Sequence, residues 1–480
     1  MRKGCEFLGA AILVAAGTTA EAQTISLWSH WADEKAKVAF VEEAAKRFEA
    51  SHPGAKVEIT WYQKGPLNTA LQSALRAGKG PDVFYADPFQ VEYIENGLIQ
   101  PLNDLLEVDN VEDWAKAAWT YDGKLYALPL EAQTIELYYN AELAKKFGVQ
   151  LPAGGALDTT AFMDLVKKAK EDGVTPIVVG VADRDYPGAY ITGELLLKKL
   201  GPDDYSKLLA GDLPYSDPRV VEVFTYVHDL AEAGAFPKSI ASLKLGESHG
   251  YFYNNPGGVL FPMGSFYPSR AFNPPADGGQ PEGFPLAMMN YPVPPEAACP
   301  TCKTNRVGGS YVVNAASEHP DLAAAFLNEM TAPDMAQLWV STVLVQTGVK
   351  VDYSTMQTDH RAYFDDLAAA NAGTEPFVGM LLDHLRGGCL DAYKQVVNVG
   401  LPAGLVTVDQ AVEALQAACS QKCCPLGAGR SPARRPSPEV RRRSPARWCS
   451  PSAPPRRTGR RNPTASRRRT AHSAESPRAC

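Results

Sequence analysis

Hydrophobic and polar positions along the first ninety residues switch twice between a strand period and a helix period. A short β-rich run, Thr24–Trp28, leads through Ser29, His30 and Trp31 to a helical stretch opened by Asp33, with Val38, Val41, Ala45 and Phe48 at 3-4-3 spacing. The segment Ser51-His52-Pro53-Gly54 ends it, and Val57, Ile59 and Trp61 then alternate as in a strand. Leu67, Ala70, Leu71, Ala74 and Leu75 mark a second helix stopped at Gly78, and Val83–Tyr85 is a third strand running into Asp87-Pro88. Strand, helix, strand, helix, strand predicts βαβ units and a mostly parallel sheet.

The next stretch breaks that rhythm. An Asp122-Gly123 turn leads into the apolar run Leu125–Leu130, which carries Pro129, so the strand must lie at an edge or end there. A second strand-like run, Thr134–Tyr139, follows after Glu131, Ala132 and Gln133. Polar groups between two strands mark a passage from one sheet to another, so this segment is a candidate hinge and cleft wall. A second α/β layer follows. It holds a helix with Phe162, Leu165, Val166 and Ala169, a buried strand Pro176–Val181, and a helix capped by Asp217-Pro218 and ended at Gly234. Gly257–Gly264 reads as a strand. Residues 268–306 are rich in Pro and Gly, with Leu286–Tyr291 the only strand candidate, and a Gly308-Gly309-Ser310 turn leads into Tyr311–Val313. The remaining body reads as helical to about Ala418, with Thr407 capping the last helix.

Charge and composition alter this picture at both ends. Arg2 and Lys3, the apolar run Phe7–Ala16 and the small-x-small pattern Ala20-Glu21-Ala22 form a secretory leader, residues 1–22, too short in its apolar part to span a bilayer. From Gln421 onward there are 16 Lys and Arg against 2 Asp and Glu, leaving 31 basic and 52 acidic residues in the body. The tail, residues 419–480, lacks apolar periodicity and cannot build a core, and it reads as extraneous to the fold. An acidic body disfavours nucleic acid or an anionic membrane as partner, and no stable membrane anchor is expected. In an oxidising compartment Cys299-Pro-Thr-Cys302 is a local disulfide candidate; Cys389 is either free or paired with one of the two.

Catalytic motifs are thin. Gly246-Glu-Ser-His-Gly250 fits the nucleophile-elbow pattern, but the weakly apolar Ala241–Leu245 before it is a poor strand, and Tyr251–Asn255 with Pro256 after it reads as unable to open a helix. No phosphate-binding lysine loop, dinucleotide fingerprint or metalloprotease helix is present, so no cofactor, metal or catalytic residue is assigned. What remains is a set of polar and aromatic side chains at predicted strand ends. They are Trp28, His30 and Trp31; Asp87; Glu131 and Gln133; Tyr190; Phe266 and Tyr267; and Gly309 with Ser310. Ligands of open α/β sheets bind beyond the carboxyl ends of the strands. Aromatic faces with a few carboxylates and amides suit a neutral polyhydroxylated solute.

The order and spacing of several segments add a resemblance covering roughly residues 24–418. They are Gly80-Pro-Asp-Val-Phe-Tyr-Ala-Asp87, Asn96-Gly-Leu-Ile-Gln-Pro-Leu102, Gly123-Lys-Leu-Tyr-Ala-Leu-Pro129, Leu137-Tyr-Tyr-Asn140, Gly264-Ser-Phe266 and Gly308–Pro320. The chain resembles the carbohydrate-type extracellular solute-binding proteins of ABC transporters, the family that includes maltose-binding protein. The resemblance implies an α/β fold of the type II periplasmic-binding class, with two lobes, each a mostly parallel sheet flanked by helices, around a ligand cleft. It places lobe 1 at 23–131 and 290–338 and lobe 2 at 132–289 and 339–418. It also implies a periplasmic monomer that hands a sugar or polyol to ABC permease subunits by hinge closure. By position, Asp87 and the 131–133 segment match hydroxyl-binding positions, Phe266 falls where many sugar binders stack a Trp, and Tyr190 falls near a second stacking aromatic. The alternatives are another solute, either a glycerol-phosphate ester served by Arg270 and Arg306 or a polyamine, and a secreted glycoside hydrolase using Asp87 and Glu131.

Overall fold

Period-2 and period-3.6 segments fold largely where the pattern puts them, and the way they pair builds two sheets. The computed structural model describes residues 23–419 except 153, 255 and 256; the leader and the Arg-rich tail lie outside the described residues. In chain order the strands are β1 (Gln23–Ser29), β2 (Ala55–Trp61), β3 (Val83–Ala86), the short pair β4 (Thr120–Tyr121) and β5 (Lys124–Leu125), and β6 (Ala132–Asn140). Then come β7 (Ala156–Asp158), β8 (Thr175–Ile177), β9 (Gly258–Gly264), β10 (Leu286–Val293), β11 (Cys302–Val307), β12 (Ser310–Val313) and β13 (Glu375–Val378).

The first sheet runs β12-β3-β1-β2, with β1 parallel to β2 and β3, and β12 antiparallel to β3. Helix α1 (Lys35–Ser51) covers it through Phe40, Val41, Ala44, Ala45 and Phe48. Its buried face also takes in Lys37 and leaves Val38 only half-buried, so the helix sits rotated from the face that the apolar spacing predicts. Helix α2 (Lys64–Arg76) buries Leu67, Leu71 and Leu75, a 4-4 stripe.

The second sheet is mixed. β6 is its spine, antiparallel to β9 on one side and to β11 and then β10 on the other, while β7, β8 and β13 join in parallel with β10, β9 and β11. Of the predicted strand Leu125–Leu130 only Leu125 enters a ladder; Leu128 instead exchanges two backbone hydrogen bonds with Tyr311 at the edge of the first sheet. Four strands escaped the sequence pattern, among them the short β4 and β7. β11 opens at Cys302, in a segment that reads as loop, and β13 interrupts a stretch that reads as helical; the two lie side by side.

The lobe boundaries differ from those read off the sequence. β10 and β11 belong to the second sheet, so the return to lobe 1 comes at Val307–Ser310 and not at 290. Residues beyond 338 stay with lobe 1: Trp339 packs edge-on against Phe40, and Lys350 N–H donates to Asn110 O. Lobe 2 resumes with helix Arg361–Asn371, where Tyr363 hydroxyl meets that of Tyr138 at 2.8 Å.

Three further readings are settled by burial and bonding. Cys299 and Cys302 form a disulfide, which also takes up the two thiols that would otherwise make a metal group with Glu375. Cys389 pairs with Cys419, which ends the last helix, Val408–Cys419, and so is part of the fold and not of the tail. The Gly246–Gly250 pentapeptide lies whole inside helix Leu245–Tyr253; Ser248 is buried and donates to Leu245 O, so this segment is not a nucleophile elbow.

Candidate functional site

The strand ends of both sheets meet at one cleft. β1 delivers His30 and Trp31, β3 delivers Asp87, and the start of β6 delivers Glu131 and Gln133. Phe266 and Arg270 follow β9, Arg306 sits in β11, and Gly308 and Gly309 form the turn into β12. The two crossing segments are stitched together: Glu131 N–H donates to Gly309 O and Gly308 N–H to Glu131 O, both at 2.8 Å. A third segment braces them, with Thr347 hydroxyl donating to Leu130 O at 2.6 Å. At Gly309 a Cβ would lie 2.7 Å from the Tyr85 ring and 2.9 Å from that of Trp31, so only glycine lets these groups converge.

Of the eleven side chains expected to bind solute, seven line this cleft: His30, Trp31, Asp87, Glu131, Gln133, Phe266 and Gly309. The other four do not. Strand alternation turns Trp28 to the opposite face of β1 from Leu27 and Ser29, where its ring packs 5.3 Å from Tyr62. Tyr267 is fully buried, stacked 4.5 Å from Tyr138, and donates to Gln280. Tyr190 starts helix Tyr190–Ala210 and is buried in the lobe 2 core, while its neighbour Tyr186 takes the cleft position. Ser310 accepts a hydrogen bond from Trp119 Nε1–H at 2.8 Å inside lobe 1.

What sequence reasoning missed is the charge. Lys37 Nζ donates to Glu34 Oε2 and Glu131 Oε2, each at 2.8 Å, with all three side chains under a tenth exposed. Burial disfavours the Lys37 ammonium, but Glu131 and Glu34 outweigh it and hold its pKa above the ordinary lysine value. Burial likewise works against the Glu34 carboxylate, and Lys37 with Arg270 overcomes it, so its pKa falls well below the usual range. Lys64 pairs with Asp87, whose other oxygen accepts from Tyr85 hydroxyl at 2.9 Å. Asp87 is held below its ordinary pKa: burial pushes upward, and Lys64 and Arg306 pull it down further. Arg306 meets Asp383 with two parallel bonds of 2.9 and 3.0 Å. Arg270 reaches from lobe 2 to Glu34 of lobe 1 at 3.1 Å. Arg270 and Arg306 were anticipated only as partners of a phosphate ester, and the signal for the lysines was weak: Glu34 and Lys37 lie three apart where a helix directly follows a strand end.

Buried polar atoms are ordinarily paired. Four atoms of the cleft wall are buried without a protein partner: His30 Nδ1, Trp31 Nε1, Gln133 Oε1 and Arg270 Nε. Burial, then Lys64, lowers the His30 pKa well below its ordinary value, so its ring is neutral at pH 7. The cleft thus offers hydrogen-bond donors and an amide acceptor beside the faces of Trp31, Tyr186 and Phe266. The cavity between the walls is about 30 Å³, against ~300–1,000 Å³ for an ordinary small-molecule site, so the walls must part to admit one.

Residues 31–337 match the family model of the bacterial extracellular solute-binding proteins. The chain belongs to that family. An uncharacterized ABC transporter extracellular-binding protein of Pyrococcus horikoshii is 27% identical over 217 residues, 43% of this chain and 48% of that protein. The maltotriose-binding protein of Pyrococcus abyssi is 35% identical over 94 residues, 19% of this chain and 21% of that one. The chain therefore spans about half the length, or less, of these curated relatives. Among solved structures, a chitin oligosaccharide binding protein superposes with a TM-score of 0.70 at 19% identity, over 82% of this chain and 98% of that one. That likeness is one of fold: two α/β lobes of the type II periplasmic-binding class.

Proposed function

We propose that this family member is a receptor that captures a sugar or polyol between its two lobes and delivers it to the permease subunits of an ABC importer. It works as a monomer in the periplasmic or extracellular space and carries out no chemistry on the solute. One observation carries the reading: four buried polar atoms without partners face a common cleft at the strand ends of two sheets. Hydroxyls are both donors and acceptors, so a polyhydroxylated ring can serve Trp31 Nε1–H, Arg270 Nε–H and Gln133 Oε1 together. The sugar solutes in the names of the maltotriose-binding relative and the chitin oligosaccharide neighbour support the same class.

The competing hydrolase reading requires a carboxyl group kept protonated near neutral pH to act as general acid. Asp87 has the opposite tuning, ion-paired to Lys64 with a lowered pKa, and Glu131 is ion-paired to Lys37. The test is a thermal-shift screen of the full chain against sugars, polyols, phosphate esters and polyamines. A solute that binds only the native state raises the melting temperature, by an amount that grows with its concentration. Glycoside turnover by the wild type, abolished in D87A and E131A, would overturn the receptor reading.

A further inference from the structure

The two walls of the cleft differ in charge. Lobe 1 and the crossing segment present three carboxylates, Glu34, Asp87 and Glu131, against two ammonium groups, Lys37 and Lys64. Lobe 2 presents three guanidinium groups, Arg184, Arg270 and Arg306, and no carboxylate among the described lining residues. The acids that neutralise Arg184 and Arg306 lie behind them: Asp183 and Asp383 accept those bonds from outside the cleft lining. The third guanidinium, Arg270, borrows its acid from the opposite wall, across the gap that must open.

Donor capacity points the same way. A guanidinium has five N–H donors. Arg306 spends one on each Asp383 oxygen, and Arg270 spends one on Glu34 while its buried Nε–H has no partner. Tyr186 lies beside this group, its ring 5.7 Å from the Arg306 guanidinium carbon. The field of the cations reaches His30 on the far wall. After burial, Lys64 is the strongest influence on its ring, Arg184 and Lys37 act in the same sense, and among the leading influences only Glu34 opposes them. A neutral solute can accept N–H bonds from this wall, but it brings no charge to take the place of Glu34 on Arg270 once the lobes part. Arginine is the side chain suited to planar, bidentate recognition of carboxylate or phosphate.

We infer that the solute is an acidic sugar or polyol, with hydroxyls toward Asp87, Glu131 and Gln133 and an anionic group toward Arg184, Arg270 and Arg306. The inference rests on the receptor reading and narrows its solute class. When the cleft opens, Arg270 leaves Glu34, and the solute's anion replaces that carboxylate as its partner on lobe 2.

The experiment is calorimetric titration of the full chain with matched pairs: glucuronate with glucose, galacturonate with galactose, and glycerol 3-phosphate with glycerol. The acidic member of at least one pair should bind tenfold or more tighter than its neutral partner, and the pair that responds distinguishes a carboxylate from a phosphate. Added salt should weaken the acid's binding and leave the neutral solute's nearly constant. In R184Q and R270Q the ratio of acid to neutral affinity should fall toward one. Neutral members binding as tightly as or tighter than every acid would overturn the inference and leave the receptor reading standing. So would an unchanged ratio in both variants. Binding by no member of any pair would count against the sugar-receptor reading itself and remove the inference with it.

Discussion

The buried triad Glu34–Lys37–Glu131 gives the sharpest stability test. Lys37 Nζ lies 2.8 Å from one oxygen of each carboxylate, and Glu34 is shared with Arg270 at 3.1 Å, so two cations and two anions balance. Glu131→Gln keeps the shape and one acceptor but leaves two cations on one carboxylate, with Lys37 only 3% exposed. Breaking a buried ion pair costs ~3–5 kcal/mol. Because Glu34 stays within reach, the low end applies, about 3 kcal/mol for E131Q. For a chain of this size that is a drop of about 6 °C in melting temperature, at the lower bound of ~2 °C per kcal/mol. The assay is urea unfolding at pH 7 without solute, on wild type, E131Q, K37M and the double variant. Removing the ammonium as well should recover part of the loss, with a coupling energy of about 2 kcal/mol between the two sites. A change under about 1 kcal/mol in E131Q, or additive effects in the double variant, would refute the claim that these buried charges depend on one another.

Three further outcomes follow from other parts of the molecule. His249 is buried, stacked on Tyr267, with both ring nitrogens unpartnered, and burial, then Arg270, lowers its pKa to about 3, with Glu34 opposing. The unfolded chain therefore binds a proton that the folded chain refuses between pH 6.5 and about 3. Stability should fall as pH drops through that window, by about 3 kcal/mol from pH 7 to 4.5 for this group, and H249F should lose that much less in acid melts. The Cys389–Cys419 bond closes a loop of 30 residues, so the double Cys→Ser variant should lose about 3–4 kcal/mol in denaturant titrations of the unliganded chain. Trp31→Phe removes the unpartnered Nε1–H, so solute affinity should fall about tenfold, the worth of one hydrogen bond; because Trp31 is buried against Tyr85, Tyr311 and Trp339, the smaller ring should also lower the melting temperature.

Much of this was legible in the sequence where a single periodic segment decides the matter. Phe162, Leu165, Val166 and Ala169 sit on the buried face of helix Thr159–Glu171, and Asp217 caps its helix by accepting Arg219 N–H. The Asp122–Asn140 stretch holds the passage between sheets that its proline and polar gap suggested, with β6 as the spine of the second sheet. β11 and β13 were not legible: β13 is four residues with a proline second and only its last two half-buried, and the alternation of β11 is masked by charges that pair only in three dimensions. Lys303 meets Glu136 at 2.6 Å and Arg306 meets Asp383, partners 167 and 77 residues away. The cleft's charge was hidden for the same reason: Lys37 and Lys64 look like solvated helix residues until the fold brings Glu131 and Asp87 to them. Tyr267 and Tyr190 show the opposite error, aromatics near strand ends that pack inward.

The most direct test of the account is a crystal structure of the chain with whichever solute raises its melting temperature most. The account predicts one solute molecule between the lobes, with hydroxyls on Asp87 from one side and contacts to Gln133, Phe266 or Arg270 from the other. A solute bound outside this cleft, or one touching a single lobe with the walls apart, would contradict it.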